Sequence, residues 1–231
     1  MFDRVFVINL DRRPDRWEAF RNRVPADWPF AIPERWSAKD WQDNKPPQWF
    51  QQPRGAWGCL LSHLGVWRQI LDDGLRSALI FEDDAGFGDA FGQDARSFCD
   101  AVPADWKQIY LGGQHFRQAH ALPVEVKPGV LRCANVNRLH AYAVRSEYAE
   151  ELIEYVPHHA QETGKQIDYL VGDLCEARQS GVYAPIRWLV GQAANTSDIA
   201  RDSKGPAEKL EQWWQQYYYV NVDGDRRWSL L

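Results

Sequence analysis

The chain lacks the marks that identify several large protein classes. No run approaches the ~20 apolar residues of a membrane-crossing helix, and the start, MFDRVFVINLDRR, turns charged before a signal-peptide core of usual length forms. The expectation is a soluble, cytoplasmic protein, with peripheral attachment at an inner membrane left open. Cysteine is sparse: Cys59, Cys99, Cys133 and Cys175 stand far apart with no CxxC or other zinc spacing, which points to free, mostly buried thiols. The absence of GxGxxG and of GxxxxGK[ST] removes dinucleotide oxidoreductases and P-loop NTPases. There is no GxSxG elbow, and Ser62 directly precedes His63, a poor geometry for a Ser–His–Asp hydrolase. Basic residues are in the minority, 27 Lys+Arg against 32 Asp+Glu, and the net charge of −5 weighs against a dedicated nucleic-acid binder.

What is present suits one globular domain over residues 1–231, with 45% hydrophobic and 26% charged residues. VFVINL (5–10) is a buried-strand pattern that runs straight into a loop and a helix start, DRRPDRWEAFRNRV. Residues 25–54 hold Pro25, Pro29, Pro33, Pro46, Pro47 and Pro53 among many Trp and Gln, which predicts an irregular insertion or lid. Leu60, Leu64, Trp67 and Leu71 fall at helical spacing before Gly74, so a helix is expected from Ala56 to Asp73. SALIFEDD and KQIYLGG both read as central strands with functional loops at their carboxyl ends. RLHAYAVR is a further strand. A helix over Glu147–Val156 with Ser146 as its N-cap follows, then a helix over Gln166–Arg178 and one strand in GVYAPIRWLV. Residues 191–207 read as a mobile loop, and EKLEQWWQQYYYV, within 208–231, as a final aromatic helix and tail. The fold class is α/β, with a mostly parallel central sheet flanked by helices.

Glu82-Asp83-Asp84 closes an apolar strand, where three adjacent acids repel one another unless something positive sits among them. A hard divalent cation, Mn²⁺ or Mg²⁺, answers that need, and a solvated acidic turn is the plainer alternative. Arg12, Arg13 and Arg16 follow the first strand, and guanidinium forks suit phosphate, while Asn9 at the strand end suits a base or ribose edge. A surface basic helix face is the alternative. Ser62 and His63 lie on or near an apolar helix face, where a hydrogen-bonded core histidine is the ordinary outcome. Asp168 and Asp173 are about one and a half turns apart and do not share a face, so at most one serves as a general base. The tryptophans, 12 of them beside a single Met, suit either a core or a stacking platform.

VFVINLDRRPDRW (5–17), GAWGCLLSHLGVWRQILDDG (55–74), ALIFEDDA (78–85), HAYAVR (140–145), IDYLVGDL (167–174) and GQAANTSDI (191–199) together resemble glycosyltransferase family 25. This is the group of bacterial lipooligosaccharide β-galactosyltransferases and collagen galactosyltransferases. The resemblance implies a GT-A type nucleotide-binding fold, a UDP-sugar donor and inversion at the anomeric carbon. It also implies a hexose, galactose or glucose, passed to a hydroxyl acceptor such as a lipopolysaccharide or other glycan. On this resemblance Asn9, Arg12, Arg16, Ser62, His63, Glu82 and Asp83 fall at the donor, Asp83 and Asp84 at the metal, and Asp168 at the base. A non-catalytic sugar-nucleotide or carbohydrate-binding module, and a transferase acting on protein or modified nucleic acid, stand as alternatives.

Overall fold

The structure is a computed structural model in which residues 1–116 and 121–193 are described. Its elements in chain order are β1 Arg4–Asn9, α1 Pro14–Arg23, β2 Glu34–Ser37, α2 Arg54–Asp72, β3 Ser77–Glu82, β4 Ala85–Phe87 and α3 Phe91–Ala101. They continue with β5 Gln108–His115, β6 Val124–Lys127, β7 Val130–Arg132, β8 Val136–Arg145, α4 Ser146–Thr163, α5 Ile167–Arg178, β9 Val182–Pro185 and β10 Val190–Gln192. The expected final aromatic helix, and the expected loop beyond Ala193, lie outside the described residues.

An eight-stranded sheet in the order β2-β1-β3-β8-β5-β9-β7-β6 forms the centre, and β10 pairs with β4 beside it. Helices cover both faces, as the α/β expectation requires. Parallel pairing is confined to β2-β1-β3 and to β5-β9, because β8 inserts antiparallel between β3 and β5, and the β6–β7 hairpin closes the far edge antiparallel. The sheet is therefore mixed.

β1 and β3 are continuously apolar between their ends because both of their faces are buried. Val5 and Val7 of β1 and Leu79 and Phe81 of β3 face a core shared with Phe20 of α1 and Phe91, Ala95 and Phe98 of α3. Phe6, Ile8, Ala78 and Ile80 point to the opposite core, filled by Leu60, Leu64 and Trp67 of α2, Leu152 and Val156 of α4 and Leu170 and Leu174 of α5. The pleat sends successive side chains to opposite faces, so one run of sequence supplies both layers.

Several boundaries differ from the sequence expectation. α3 is an additional helix, whose Phe91, Ala95, Phe98 and Cys99 form one apolar stripe. α4 continues through Pro157 to Thr163, although proline removes one backbone donor; burial of Val156 and Ala160 holds the last turns, and Gly164 ends them at φ 66. Its N-cap is Arg145 and not Ser146. The single strand expected in GVYAPIRWLV is two, β9 and β10, in different sheets, and Gly191 and Gln192 belong to β10 and not to a mobile loop. The 25–54 segment adds β2 to the sheet edge, and Trp28 stacks on Phe91 at 5.5 Å, so this tryptophan serves the core. The four cysteines are free, with Cys59 alone partly exposed. No helix among the described residues is long and apolar enough to cross a membrane.

The glycine pair of KQIYLGG lets β10 cross β5 closely. Register shifts flank Gly112 in its pairing with β8, and a methyl group there would run into the Val190 carbonyl and the His140 ring. Both neighbours are fixed, since His140 is buried and its Nε2 lies 3.2 Å from that same carbonyl. Gly112→Ala is therefore expected to destabilise the protein by about 1–3 kcal/mol through overpacking, read as a lower denaturant midpoint with an unchanged slope.

Candidate active site

β1 and β3 lie side by side in parallel, so their carboxyl ends bring Asn9 and the acidic triplet to one point. α1 leaves β1 towards one face of the sheet, and α2 enters β3 from the other. Open α/β sheets hold ligands in the crevice where connections diverge in this way. A cleft of about 140 Å³ opens there, lined by the triplet together with Arg12, Arg16, Asp40, Trp41, Ser62 and His63.

The cation among the three acids is a guanidinium. Arg16 is buried in the first turn of α1, where it ion-pairs with Asp83 and stands 3.3 Å from Asp84. The other Asp83 oxygen accepts a hydrogen bond from Asn9 Nδ2 at 2.7 Å, and Arg23 donates to the Asp83 and Ala85 carbonyls at 2.7 and 3.0 Å. Asn9 also donates to the Arg13 carbonyl and accepts from Arg35 Nε at 2.8 Å, so its amide is committed to the protein. Both Asp83 oxygens are likewise engaged, whereas Asp84 Oδ1 is buried with no hydrogen-bond partner among the described residues. Burial raises the carboxyl groups of Asp83 and Asp84. Asp84 is pushed up to about 7, first by burial and then by the charge of Glu82, with Arg16 opposing.

The remaining arginines separate. Arg12 stays at the rim, bonded to Asp40, and Arg13 pairs with Asp15 at 2.8 Å outside the cleft lining. Ser62 accepts from Lys39 N at 2.8 Å and donates to the Gly58 carbonyl at 2.7 Å, which pins the 38–41 loop against α2 and shapes the cleft wall. His63 is fully buried, with Nε2 3.3 Å from Glu82 Oε1.

A second cavity of about 110 Å³ adjoins the first, with Cys59, Glu82 and Gln192 lining both. Asp168, Arg138 and Gln166 line only this one. Asp168 sits in the first turn of α5 and accepts from Tyr169 N at 3.1 Å; burial outweighs that bond and pushes its carboxyl up to about 6. Asp173 points elsewhere and pairs with Lys165 Nζ at 2.6 Å. Arg138 and Gln192 are site residues that the sequence reading missed. Arg138 holds φ 72, a left-handed conformation uncommon for a non-glycine residue, and donates to Gln192 Oε1 at 2.9 Å. Gln192 stands in the GQAANTSDI segment and Arg138 at the start of RLHAYAVR, but neither residue type marks a site there, and strand register brings the two together.

The site is thus an arginine-clamped acidic cleft with a second, carboxylate-lined cavity beside it, set in a mixed α/β fold. Residues 2–170 match the family described as glycosyltransferase family 25 (LPS biosynthesis protein), and the chain belongs to that family. It is 32% identical over 178 residues to Inactive glycosyltransferase 25 family member 3 of Homo sapiens, a match covering 68% of this chain and 29% of that protein. It is 27% identical over 173 residues to Procollagen galactosyltransferase 2 of Mus musculus, covering 66% and 27%. The chain thus spans under a third of the length of these curated relatives. Among solved structures, a mannose-1-phosphate geranyltransferase from Thermus thermophilus aligns with a TM-score of 0.44 at 13% identity, covering 79% of this chain and 72% of that one, a likeness too loose to bear on function.

The raised Asp84 carboxyl has a consequence for stability. Its unfolded value is the ordinary 3.8 and its folded value about 7, so the folded state binds the proton more tightly. Stability attributable to this group therefore falls as pH rises from about 4 to about 7 and stays low above that. With chelator present, Asp84→Asn is expected to melt above the wild type at about pH 8, and the gap should close towards pH 4. A gap independent of pH would contradict the assignment.

Proposed function

We propose that the chain is a metal-dependent, inverting hexosyltransferase. In this reading it moves galactose or glucose from a UDP-sugar to a hydroxyl acceptor such as a lipopolysaccharide or other glycan. The observation that carries the reading is the pair of cavities meeting at Glu82, with a separate carboxylate, Asp168, in the second. A single displacement breaks the anomeric carbon to phosphate-oxygen bond while the acceptor oxygen forms the new one from the opposite side. Asp168 takes the acceptor proton, and a carboxyl group raised towards neutrality suits that task. Membership of a glycosyltransferase family and the galactosyltransferase relatives support transfer of a sugar.

The donor set fits a hard divalent cation at Asp84, because its Oδ1 is a buried carboxylate oxygen without a hydrogen-bond partner among the described residues. Asp83 would join it only by giving up part of its bonding to Arg16 and Asn9. Bound there, Mn²⁺ or Mg²⁺ supplies charge neutralisation for the departing diphosphate. Arg12 at the rim and Arg16 inside are the chain's own cations for those phosphates. The human relative, named as an inactive family member, favours a second reading: a sugar-nucleotide-binding protein without turnover.

One measurement separates these readings, and a second tests the metal. Asp168→Asn should lower transfer or hydrolysis of UDP-galactose or UDP-glucose by about 10²–10⁴-fold with UDP affinity nearly unchanged, whereas Asp173→Asn stays near wild type. UDP binding with no turnover in the wild type would favour the binding protein. For the metal, calorimetry should show UDP affinity rising with Mn²⁺, and Asp84→Ala should abolish that increment while the protein stays folded. UDP binding indifferent to Mn²⁺ would remove the metal from the proposal.

A further inference from the structure

Tyr142, in the middle of β8, is fully buried, and its hydroxyl meets two groups from α2. Trp67 Nε1 lies 2.8 Å away and can only donate. His63 Nδ1 lies 2.9 Å away and can either donate or accept. If the phenol oxygen accepted from both, its own hydrogen would be buried without an acceptor, a costly arrangement. The arrangement that satisfies every group has Trp67 donating to Tyr142, and Tyr142 donating to His63 Nδ1. The imidazole proton then belongs on Nε2, which faces Glu82 Oε1 at 3.3 Å. The Cys59 thiol approaches the same oxygen at 4.0 Å, so both contacts fall on one side of the carboxylate.

We propose that this buried chain, Trp67 to Tyr142 to His63 to Glu82, sets the His63 tautomer and aims Glu82 at the wall between the two cavities. Glu82 Oε2 is then an acceptor-only group for a hydroxyl of the transferred sugar. That consequence rests on the transferase reading, whereas the tautomer does not. Trp67, Tyr142 and His63 are positioning residues. The same geometry excludes a rival use of these side chains. The ligand atoms of Cys59, His63 and Glu82 lie within 4.8 Å of one another, close enough to hold a cation. A metal there would need the Nε2 lone pair that the proton occupies, while Nδ1 is turned towards Tyr142.

Long-range ¹⁵N–¹H NMR of the metal-free wild type, at a pH above the ordinary histidine range, reads the tautomer directly, with His63 assigned by its loss in His63→Gln. The expected result is a protonated Nε2 and a bare Nδ1. In Tyr142→Phe, which keeps the ring and removes the hydroxyl, that preference should be lost. Turnover of UDP-galactose or UDP-glucose should fall by about 3–10-fold in the same variant, the scale for losing one supporting hydrogen bond, with UDP affinity little changed. A protonated Nδ1 or a doubly protonated ring in the wild type overturns the proposal, as does an unchanged tautomer in folded Tyr142→Phe. Should that variant not fold, cobalt(II) titration of the wild type decides: a sulfur-to-cobalt absorption band that Cys59→Ser removes would establish the metal site instead, and no band supports the hydrogen-bonded chain. A wild type without turnover refutes the transferase reading and leaves the tautomer to be judged by itself.

Discussion

Three carboxylates at the end of one buried strand are the constraint around which this protein is built. Left alone, Glu82, Asp83 and Asp84 would repel one another and lose their hydration together. Separate parts of the chain converge on them. Arg16 of α1 pairs with Asp83 and approaches Asp84, Asn9 at the end of β1 holds the second Asp83 oxygen, and His63 of α2 faces Glu82. The helices on the two faces of the sheet are thereby tied to the same strand end.

This arrangement also explains why the neighbouring polar groups are so fully committed. Asn9 serves Asp83, the Arg13 carbonyl and Arg35; Ser62 serves Lys39 and Gly58; Arg23 holds the acidic loop by its carbonyls. A cleft walled by such groups is preorganised and alters little when charge enters or leaves it. Two groups are exceptions. Among the described residues Asp84 keeps a buried oxygen without a partner, and Asp168 stands in a second cavity with its carboxyl raised to about 6. In the proposed transfer the first would meet positive charge and the second would take a proton.

Much of this was legible in the residues. β1 and β3 are read correctly because strands buried on both faces must be continuously apolar, and α2 because a helix against a sheet needs its stripe at 3.6-residue spacing. The charge conflict in the acidic triplet is equally visible. α3 is hard to see in the sequence although Phe91, Ala95, Phe98 and Cys99 carry the helical period, because a short stripe between loops has little local contrast. α4 outruns its apparent stop at Pro157 because tertiary burial of Val156 and Ala160 outweighs one missing backbone bond.

The sequence by itself determined the α/β class, the strand ends that bear the acids, and the need for a positive partner near them, since periodicity and like-charge repulsion are local properties. Only the tertiary structure decided that the partner is Arg16, that Asp168 and not Asp173 faces a cavity, and that Arg138 and Gln192 close the second pocket. It alone decided that Tyr142 stands between Trp67 and His63. Those contacts join residues far apart in the chain, and they depend on β8 inserting antiparallel beside β3 and on β10 crossing over β5. Strand order and register follow from how the whole core packs, and no spacing within one segment encodes them.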